Sequence, residues 1–256
     1  MKNNMFIELE SAISKTRLST YERSLFPKNN AELIKSYILN SKVSENFYFL
    51  LQNLEVTLRN AIYNSYSNNK YFTKSFFYLR EEDTTKPYNR EFHSYACWRM
   101  IGTVKHKLGK GGQTVTDGKI IAELNFGFWT TLFEEKVYKT KIWRKIFKDV
   151  FPYYPHTLVI DNDIDNISNI LNDIRKFRNR IFHYEQIIMK SNLDKIHSDI
   201  LNVISWINPS MYQLTKAFDE YSLMNQNKKF INKQVSEIKL SSTTLRKKRI
   251  RSKKRK

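Results

Sequence analysis

The chain has 256 residues, 41% hydrophobic and 14% aromatic, a composition that excludes an intrinsically disordered protein and supplies side chains for a sizeable core. Only 6 glycines and 5 prolines are present, which disfavours a turn-rich all-β protein. Lysine and arginine number 44 against 25 acidic residues, and the resulting net charge of +19 attracts polyanions such as nucleic acids.

The cellular compartment is indicated by cysteine usage and by the lack of long apolar runs. The single cysteine, Cys97, rules out an intramolecular disulfide and fits a reducing compartment. No apolar run approaches the roughly 18 residues of a membrane-spanning helix. The N-terminal MKNNMFIELESAISK lacks the apolar stretch of a signal peptide. We therefore expect a cytoplasmic protein with no membrane partner.

Helical periodicity dominates the chain. Four segments place apolar residues at the three- and four-residue spacing of an amphipathic helix: 47–62, 92–104, 161–177 and 193–207. The third segment opens with Asp161 and Asp163, whose charges favour the positive end of a helix dipole. The fourth ends before Asn208-Pro209, because proline interrupts a helix.

Two segments interrupt this pattern. Residues 107–119 contain four of the six glycines, and residues 151–156 read FPYYPH. Neither segment is long enough to demand separate domains, so we predict one all-α domain over residues 1–225. From residue 226 the apolar periodicity fades, and we predict a basic, partly disordered tail over residues 226–256.

Positive charge is densest at the C-terminal end. Residues 246–256, RKKRIRSKKRK, contain nine basic residues and no acid, yet the rest of the chain still carries +10. We predict that this tail binds a nucleic-acid backbone through Lys247, Lys248, Arg249 and Arg251. A solvated tail that maintains solubility is the alternative, and an anionic membrane surface is a weaker one.

The candidate chemistry lies in residues 173–187, DIRKFRNRIFHYEQI. This segment contains Arg178 and Asn179, followed by His183. Histidine exchanges a proton near neutral pH, and arginine binds a phosphate through two parallel hydrogen bonds. Together they supply the acid–base group and the fixed cation that RNA cleavage needs, with no metal or cofactor.

The spacing of these residues favours a composite site. On an ideal helix Arg178 and His183 point about 140° apart, whereas Asn179 and His183 share a face. One Arg–His pair is therefore a poor clamp for a single phosphate, and two copies related by a twofold axis would complete it. The sequence thus predicts a homodimer. From spacing alone, ordinary surface residues remain the simpler interpretation, because an arginine and a histidine five residues apart are common.

Three blocks of sequence occur in an order typical of one bacterial family. They are RLSTYE (17–22) with LEVTLRNAI (54–62), IIAELNFGFWTTLF (120–133) and IRKFRNRIFHYEQI (174–187). The last block resembles an Arg-Asn-Arg-x-x-His signature, and the middle block resembles a Leu-x-Phe-Gly-Phe-Trp segment. Together they resemble the Abi-like abortive-infection proteins of the HEPN ribonuclease superfamily. The resemblance covers roughly residues 10 to 210.

The resemblance implies an all-α, HEPN-like helical bundle with extra N-terminal helices, which forms a dimer. It also implies metal-independent RNA cleavage that leaves a 2′,3′-cyclic phosphate and a 5′-hydroxyl, in a system that halts phage-infected cells. Arg178 and His183 take the catalytic positions, and Asn179 takes the polar position beside the arginine. Tyr184 stands where relatives often have a second histidine, and Glu185 is kept. Glu185 either orients His183, binds a base or is a solvent-exposed acid.

Further basic residues are candidates for RNA contact or for a second site. We expect Arg175 and Arg180, beside the motif, and Arg59, within the 54–62 block, to bind RNA. Arg99 and His106 are a weaker second Arg–His pair. The main alternative function is an RNA-binding protein that holds a structured noncoding RNA without cutting it. A toxin restrained by a protein antitoxin is a third possibility.

Known metal and nucleotide motifs are incomplete. The glycine-rich segment lacks the spacing and the Ser or Thr of a P-loop. Asp161, Asp163 and Asp165 imitate the start of a calcium loop, but Asn166 replaces the required glycine. We therefore predict neither a metal nor a cofactor.

Overall fold

The structure is a computed structural model that describes residues 3–72, 75–77, 95–112 and 114–221. About 78% of the described residues are helical and none of them lies in a β-strand, which confirms the predicted all-α fold. The predicted tail, 226–256, lies outside the described residues. Within the described part of the chain, no helix is both long and apolar enough to cross a membrane.

The described residues contain eleven α-helices. A π-helical segment, Lys139–Trp143, joins the seventh and eighth of them. In chain order they are α1 (Asn3–Ile13), α2 (Lys15–Leu25), α3 (Asn30–Ser67), α4 (Tyr95–Lys110), α5 (Asp117–Glu123), α6 (Phe126–Glu134), α7 (Lys136–Tyr138), α8 (Arg144–Val150), α9 (Ile160–Phe182), α10 (Leu193–Ile207) and α11 (Pro209–Ala217).

The chain divides into two compact units. The described residues of the first unit are 3–49, 180–193 and 219–221, and those of the second are 50–72, 75–77, 95–112, 114–179 and 194–218. The division falls inside α3 and α9, so each of these helices contributes residues to both units. The single domain over residues 1–225 stays a prediction.

A small apolar core holds α1, α2 and the start of α3 together in the first unit. Ser14 separates α1 from α2 with a φ of 81°, and its hydroxyl accepts a hydrogen bond from the Arg17 N–H. This cap fixes the start of the helix that carries Arg17. The buried core residues are Leu18, Tyr21, Leu33 and Ile34, against which Phe6, Leu9, Ile13, Leu25, Tyr37, Ile38 and Ile188 pack.

Aromatic side chains form much of the core of the second unit. Phe133 stacks on Trp143 with ring centroids 3.8 Å apart, and Trp143 Nε1 donates a hydrogen bond to the Leu132 carbonyl at 2.6 Å. Phe76 stacks on Trp129, with ring centroids 6.2 Å apart. Each buried aromatic removes about 150–250 Å² from water, so these contacts stabilise the packing of the second unit.

One helix boundary differs from the sequence-based expectation, and the predicted stop at Asn208 is confirmed with an additional role. The predicted break over 107–119 is helical at both ends, because α4 continues to Lys110 and α5 begins at Asp117. Gly112, with a φ of 66°, supplies the left-handed conformation where the chain leaves α4. Asn208, predicted to stop a helix, also starts the next one: its Oδ1 accepts a hydrogen bond from the Met211 N–H at 2.9 Å.

Candidate functional site

The motif lies at the C-terminal end of α9. Arg178 and Asn179 are helical, whereas α9 ends at Phe182 and His183 is the first residue beyond it. Arg178 and Asn179 belong to the second unit, and His183 belongs to the first. Asn179 and His183 are both exposed. The expectation that Asn179 and His183 share one face assumed that the helix reaches residue 183. Because α9 ends at Phe182, the position of His183 is set instead by the turn that closes the helix.

That turn is a Schellman motif with His183 at the C-cap position. The Tyr184 N–H donates to the Ile181 carbonyl and the Glu185 N–H donates to the Arg180 carbonyl, both at 2.9 Å. Tyr184 has a φ of 56°, in the left-handed region. Glycine is the usual residue there, because a β-carbon costs roughly 1–2 kcal/mol in this conformation.

Arg17 of α2 contacts Tyr184 in two ways. Its guanidinium donates a hydrogen bond to the Tyr184 carbonyl at 2.5 Å, and its Cζ lies 6.0 Å from the centroid of the tyrosine ring. The Tyr184 side chain is nevertheless 75% exposed. Sequence reasoning assigned no role to Arg17, although it is the first residue of the RLSTYE block.

Asn40 of α3 holds the chain that follows the turn. Its Nδ2 donates to the Glu185 carbonyl at 3.1 Å, and its Oδ1 accepts from the N–H groups of Ile187, at 2.7 Å, and Ile188, at 3.2 Å. Asn40 is one of the buried polar residues, with 3% of its surface exposed. One side chain therefore satisfies three backbone groups, and the path of the chain after His183 depends on it.

The surroundings of Arg178, in the second unit, are partly shielded from water. Its Nη2 donates to Glu55 Oε2 at 3.2 Å, and the two side chains are only 21% and 18% exposed. Its Cζ lies 5.9 Å from the ring centroid of Phe126, which is fully buried. Partial burial strengthens the attraction between the two charges, because water screens them less than at an open surface. Glu55 therefore holds the guanidinium in one place.

Arg178 is the point at which three separated blocks of sequence meet. Glu55 comes from the 54–62 block, Phe126 comes from the 120–133 block, and Arg178 itself comes from the 173–187 segment. Sequence reasoning missed Glu55. The available signal was that Glu55 is the single acidic residue of the amphipathic segment 47–62.

The residues around Phe126 explain how its ring is placed. Asn125 caps α6, and its Oδ1 accepts a hydrogen bond from the Phe128 N–H at 3.1 Å. A β-carbon at Gly127 would lie 3.0 Å from that same oxygen. Glycine at position 127 therefore lets Asn125 cap the helix, and the cap sets the start of the helix that presents Phe126 to Arg178.

The three arginines predicted to contact RNA have different surroundings. Arg175 donates to Glu134 at 2.6 Å, and Arg180 pairs with Glu185 at 3.2 Å. Arg59 is half-buried, and its Nε has no hydrogen-bond partner among the described residues. RNA binding by these side chains stays a prediction, as does binding by Lys247, Lys248, Arg249 and Arg251. At Arg175 and Arg180, a phosphate would have to compete with a carboxylate.

The weaker candidate residues lie on α4 and around the start of α9. Arg99 and His106 both lie on α4 and are exposed. Asp161 is paired with Arg144 at 2.7 Å, and the guanidinium lowers the pKa of that carboxyl. Asp165 is paired with Lys139 at 2.6 Å. Among the described residues, no group of three or more His, Cys, Asp or Glu side chains is arranged to hold a metal.

The described residues define an all-α protein with a shielded pair between Arg178 of α9 and Glu55 of α3, and an exposed histidine just after the end of α9. The chain matches no family model, no curated protein and no solved structure at a significant level. A functional assignment therefore rests on the geometry of these residues and on the resemblance of the sequence blocks.

Proposed function

We propose that the protein is a metal-independent endoribonuclease of the HEPN type that acts in bacterial phage defence, with Arg178, Asn179 and His183 at its catalytic site. The observation that carries this proposal is the environment of Arg178. An ordinary surface arginine is solvated, whereas Arg178 is only 21% exposed and is bound by Glu55. The sequence blocks that resemble the family supply its contacts, which favours a functional role over a solvated helix end.

The proposed reaction is an internal transfer at one phosphate. The 2′-hydroxyl of a nucleotide attacks the neighbouring phosphorus, the bond to the 5′-oxygen of the next nucleotide breaks, and a 2′,3′-cyclic phosphate forms. The proton leaves the 2′-hydroxyl and an equivalent proton reaches the departing 5′-oxygen. His183 is exposed at the end of α9, where it can perform one of these transfers.

Arg178 and Asn179 have complementary parts in this reaction. The pentacoordinate phosphorane carries more negative charge than the starting phosphodiester, and the Arg178 guanidinium stabilises that added charge. Asn179, exposed beside the arginine, supplies a neutral hydrogen-bond donor for a phosphate oxygen. Glu55 is a positioning residue, because it acts on RNA through Arg178.

A homodimer is part of this proposal. Each chain supplies one histidine from the motif, whereas the reaction has two proton transfers, and a twofold axis would bring a second copy of the motif to one cleft.

Phage defence also requires that the nuclease be restrained in healthy cells. A bound RNA or a protein antitoxin would provide that restraint.

A second candidate function, the holding of a structured noncoding RNA without cleavage, is favoured by one surface of the second unit. Six basic residues and no acid occur in residues 136–148, across the π-helical segment and α8. Lys141, Lys145 and Lys148 are exposed. The Lys145 ammonium lies 5.5 Å from the ring centroid of Tyr71, which is 66% exposed. Lysines beside an exposed aromatic ring can bind phosphates and stack on a base.

One experiment separates the two candidates. Cleavage and binding of total RNA are measured for the parent protein, for His183→Ala and for His106→Ala, which removes the exposed histidine of the weaker Arg99–His106 pair on α4. A nuclease loses cleavage with His183→Ala, retains RNA affinity and is unaffected by His106→Ala. Binding without cleavage by all three proteins would instead support the RNA-holding function and would contradict the nuclease.

A further inference from the structure

Tyr184 is an aromatic residue in a position that favours glycine. Its φ of 56° is left-handed, and its side chain is 75% exposed. The turn is held by contacts to the backbone: the two Schellman hydrogen bonds, the bond from Arg17 to the Tyr184 carbonyl, and the three bonds of Asn40 to the following residues. The phenol ring is therefore not needed to form the turn. A left-handed tyrosine whose ring is largely exposed is a candidate for ligand binding.

Exposed aromatic rings lie on both sides of His183 in the sequence. Phe182 is 42% exposed and Tyr184 is 75% exposed. The ring of Phe182 packs against that of Tyr48, with centroids 5.8 Å apart, and Tyr48 is itself 54% exposed. Unpaired bases stack on exposed aromatic side chains, and nearby cations bind the phosphates between them.

We propose that Tyr184 is a base-binding residue, on which an unpaired base of the RNA stacks next to the phosphate that His183 acts on. This inference rests on the proposed nuclease function for its location, and it adds a substrate preference for unpaired nucleotides. Arg17, with its Cζ 6.0 Å from the ring centroid, orients the ring and places a positive charge beside it.

The chemistry of this surface favours RNA over a second copy of the chain. The Arg17 Cζ lies 6.0 Å from the centroid of the ring, and in the sequence a histidine stands between the two exposed aromatic residues. These groups complement a polyanion that also has flat apolar faces. Base-paired RNA does not satisfy the site, because the faces of its bases are covered by their neighbours in the helix.

The test measures RNA affinity in a His183→Ala background, so that the RNA is bound without being cut. The probes are a fluorescent, unstructured oligoribonucleotide and the duplex of the same sequence. Tyr184→Gly removes the ring and suits the backbone conformation. The matched control is Phe26→Gly, because Phe26 is also a left-handed residue (φ 47°) at the end of a helix in the first unit and is 81% exposed.

We expect Tyr184→Gly to weaken binding of the single strand about tenfold, which corresponds to the loss of one stacked base. Affinity for the duplex changes less than about twofold, because phosphate contacts dominate there. Tyr184→Phe, which keeps a ring, restores single-strand affinity, and Phe26→Gly leaves it unchanged. Circular dichroism confirms that each variant is folded.

Three results would overturn the inference: unchanged single-strand affinity in Tyr184→Gly, an equal loss for both probes, or a change in oligomer mass without a change in RNA affinity. The last result would assign the ring to contact with a second copy. The proposed function fails separately, if the parent protein with His183 intact does not cleave RNA. Loss of single-strand affinity in Tyr184→Gly would then still establish the base-binding residue.

Discussion

The Arg178 guanidinium donates a hydrogen bond to the Glu55 carboxylate at 3.2 Å, across 123 residues of sequence. Both side chains belong to the second unit, where this bond ties α9 to α3. The same carboxylate that positions the cation also attracts it, so a phosphate would have to compete with Glu55 for Arg178. Apart from substitutions of the motif residues themselves, substitutions at Glu55 therefore test the candidate site most directly.

Substitutions at Glu55 should therefore distinguish the orientation of the Arg178 guanidinium from the effect of the negative charge on Glu55. We expect Glu55→Ala to lower kcat for RNA cleavage by about tenfold to a hundredfold, because the guanidinium loses its orientation. Glu55→Gln keeps a hydrogen-bond acceptor, so it should retain more activity and should lower KM as the competing charge is removed. Glu45→Ala is the control, since Glu45 forms an exposed pair with Lys42. An unchanged kcat in Glu55→Ala would contradict the positioning role.

Asn40 should contribute to stability out of proportion to its size. We expect Asn40→Ala to lower the free energy of unfolding by about 2–3 kcal/mol, because it leaves three backbone groups near the His183 turn without their partner. Urea denaturation followed by circular dichroism measures the change. Asn64→Ala, at an exposed position of α3, should cost less than about 0.5 kcal/mol. Equal effects of the two substitutions would show that the hydrogen bonds of Asn40 do not support the turn.

We expect the basic surface of residues 136–148 to contribute to the salt dependence of RNA affinity. Replacing Lys141, Lys145 and Lys148 together by glutamine should reduce the slope of log K against log salt for single-stranded RNA by about 2, if each lysine binds one phosphate. The matched control is the triple glutamine variant of Lys42, Lys107 and Lys195, which changes the charge equally but removes lysines outside this surface. Identical slopes in the two variants would mean that this surface has no specific part in RNA binding.

The buried side chain of Tyr21 should make the stability of the first unit decrease at alkaline pH. Burial raises the pKa of Tyr21 from 10.0 to about 12. A raised pKa in the folded state means that the stabilisation is complete below pH 10 and is lost as pH rises from 10 to about 12. Tyr21→Phe should therefore lose less stability than the parent over this interval, as measured by urea denaturation at a series of pH values. The same decline in both proteins would assign the alkaline loss to other groups.

Local patterns predicted much of the fold. The apolar spacing of segments 47–62, 161–177 and 193–207 identifies parts of α3, α9 and α10, because a helix repeats every 3.6 residues and its buried face is visible within a few turns. The boundaries of α4 and α5 were less accurate. Helix ends depend on caps and on single left-handed residues such as Gly112, which the apolar pattern does not report.

The candidate site was only partly predictable, for a physical reason. Arg178 and His183 stand out because their chemistry is recognisable within six residues of sequence. Glu55, Arg17 and Asn40 act across more than 100 residues, and no local pattern encodes such a contact. Two of them, Arg17 and Glu55, fall in the sequence blocks 17–22 and 54–62, but the blocks did not indicate which residues these side chains contact.

The left-handed conformation of Tyr184 was also outside the reach of sequence reasoning. An isolated Schellman turn selects glycine or asparagine, and a tyrosine at this position predicts that the helix continues. Contacts from Arg17 and Asn40, both far away in sequence, hold the turn and offset its strain. Functional and strained positions are where local rules are expected to fail.

The most direct test of the central claim is the end chemistry of RNA cut in EDTA by the purified protein, with Arg178→Ala and His183→Ala measured beside it. An RNA with a single 2′-deoxy nucleotide at a mapped cleavage position is included. We predict that the parent protein alone leaves 2′,3′-cyclic phosphate and 5′-hydroxyl ends, and that the deoxy substitution abolishes cutting at that position, because the attacking hydroxyl is missing. Cleavage that persists in His183→Ala, or at the deoxy position, would contradict the proposed mechanism.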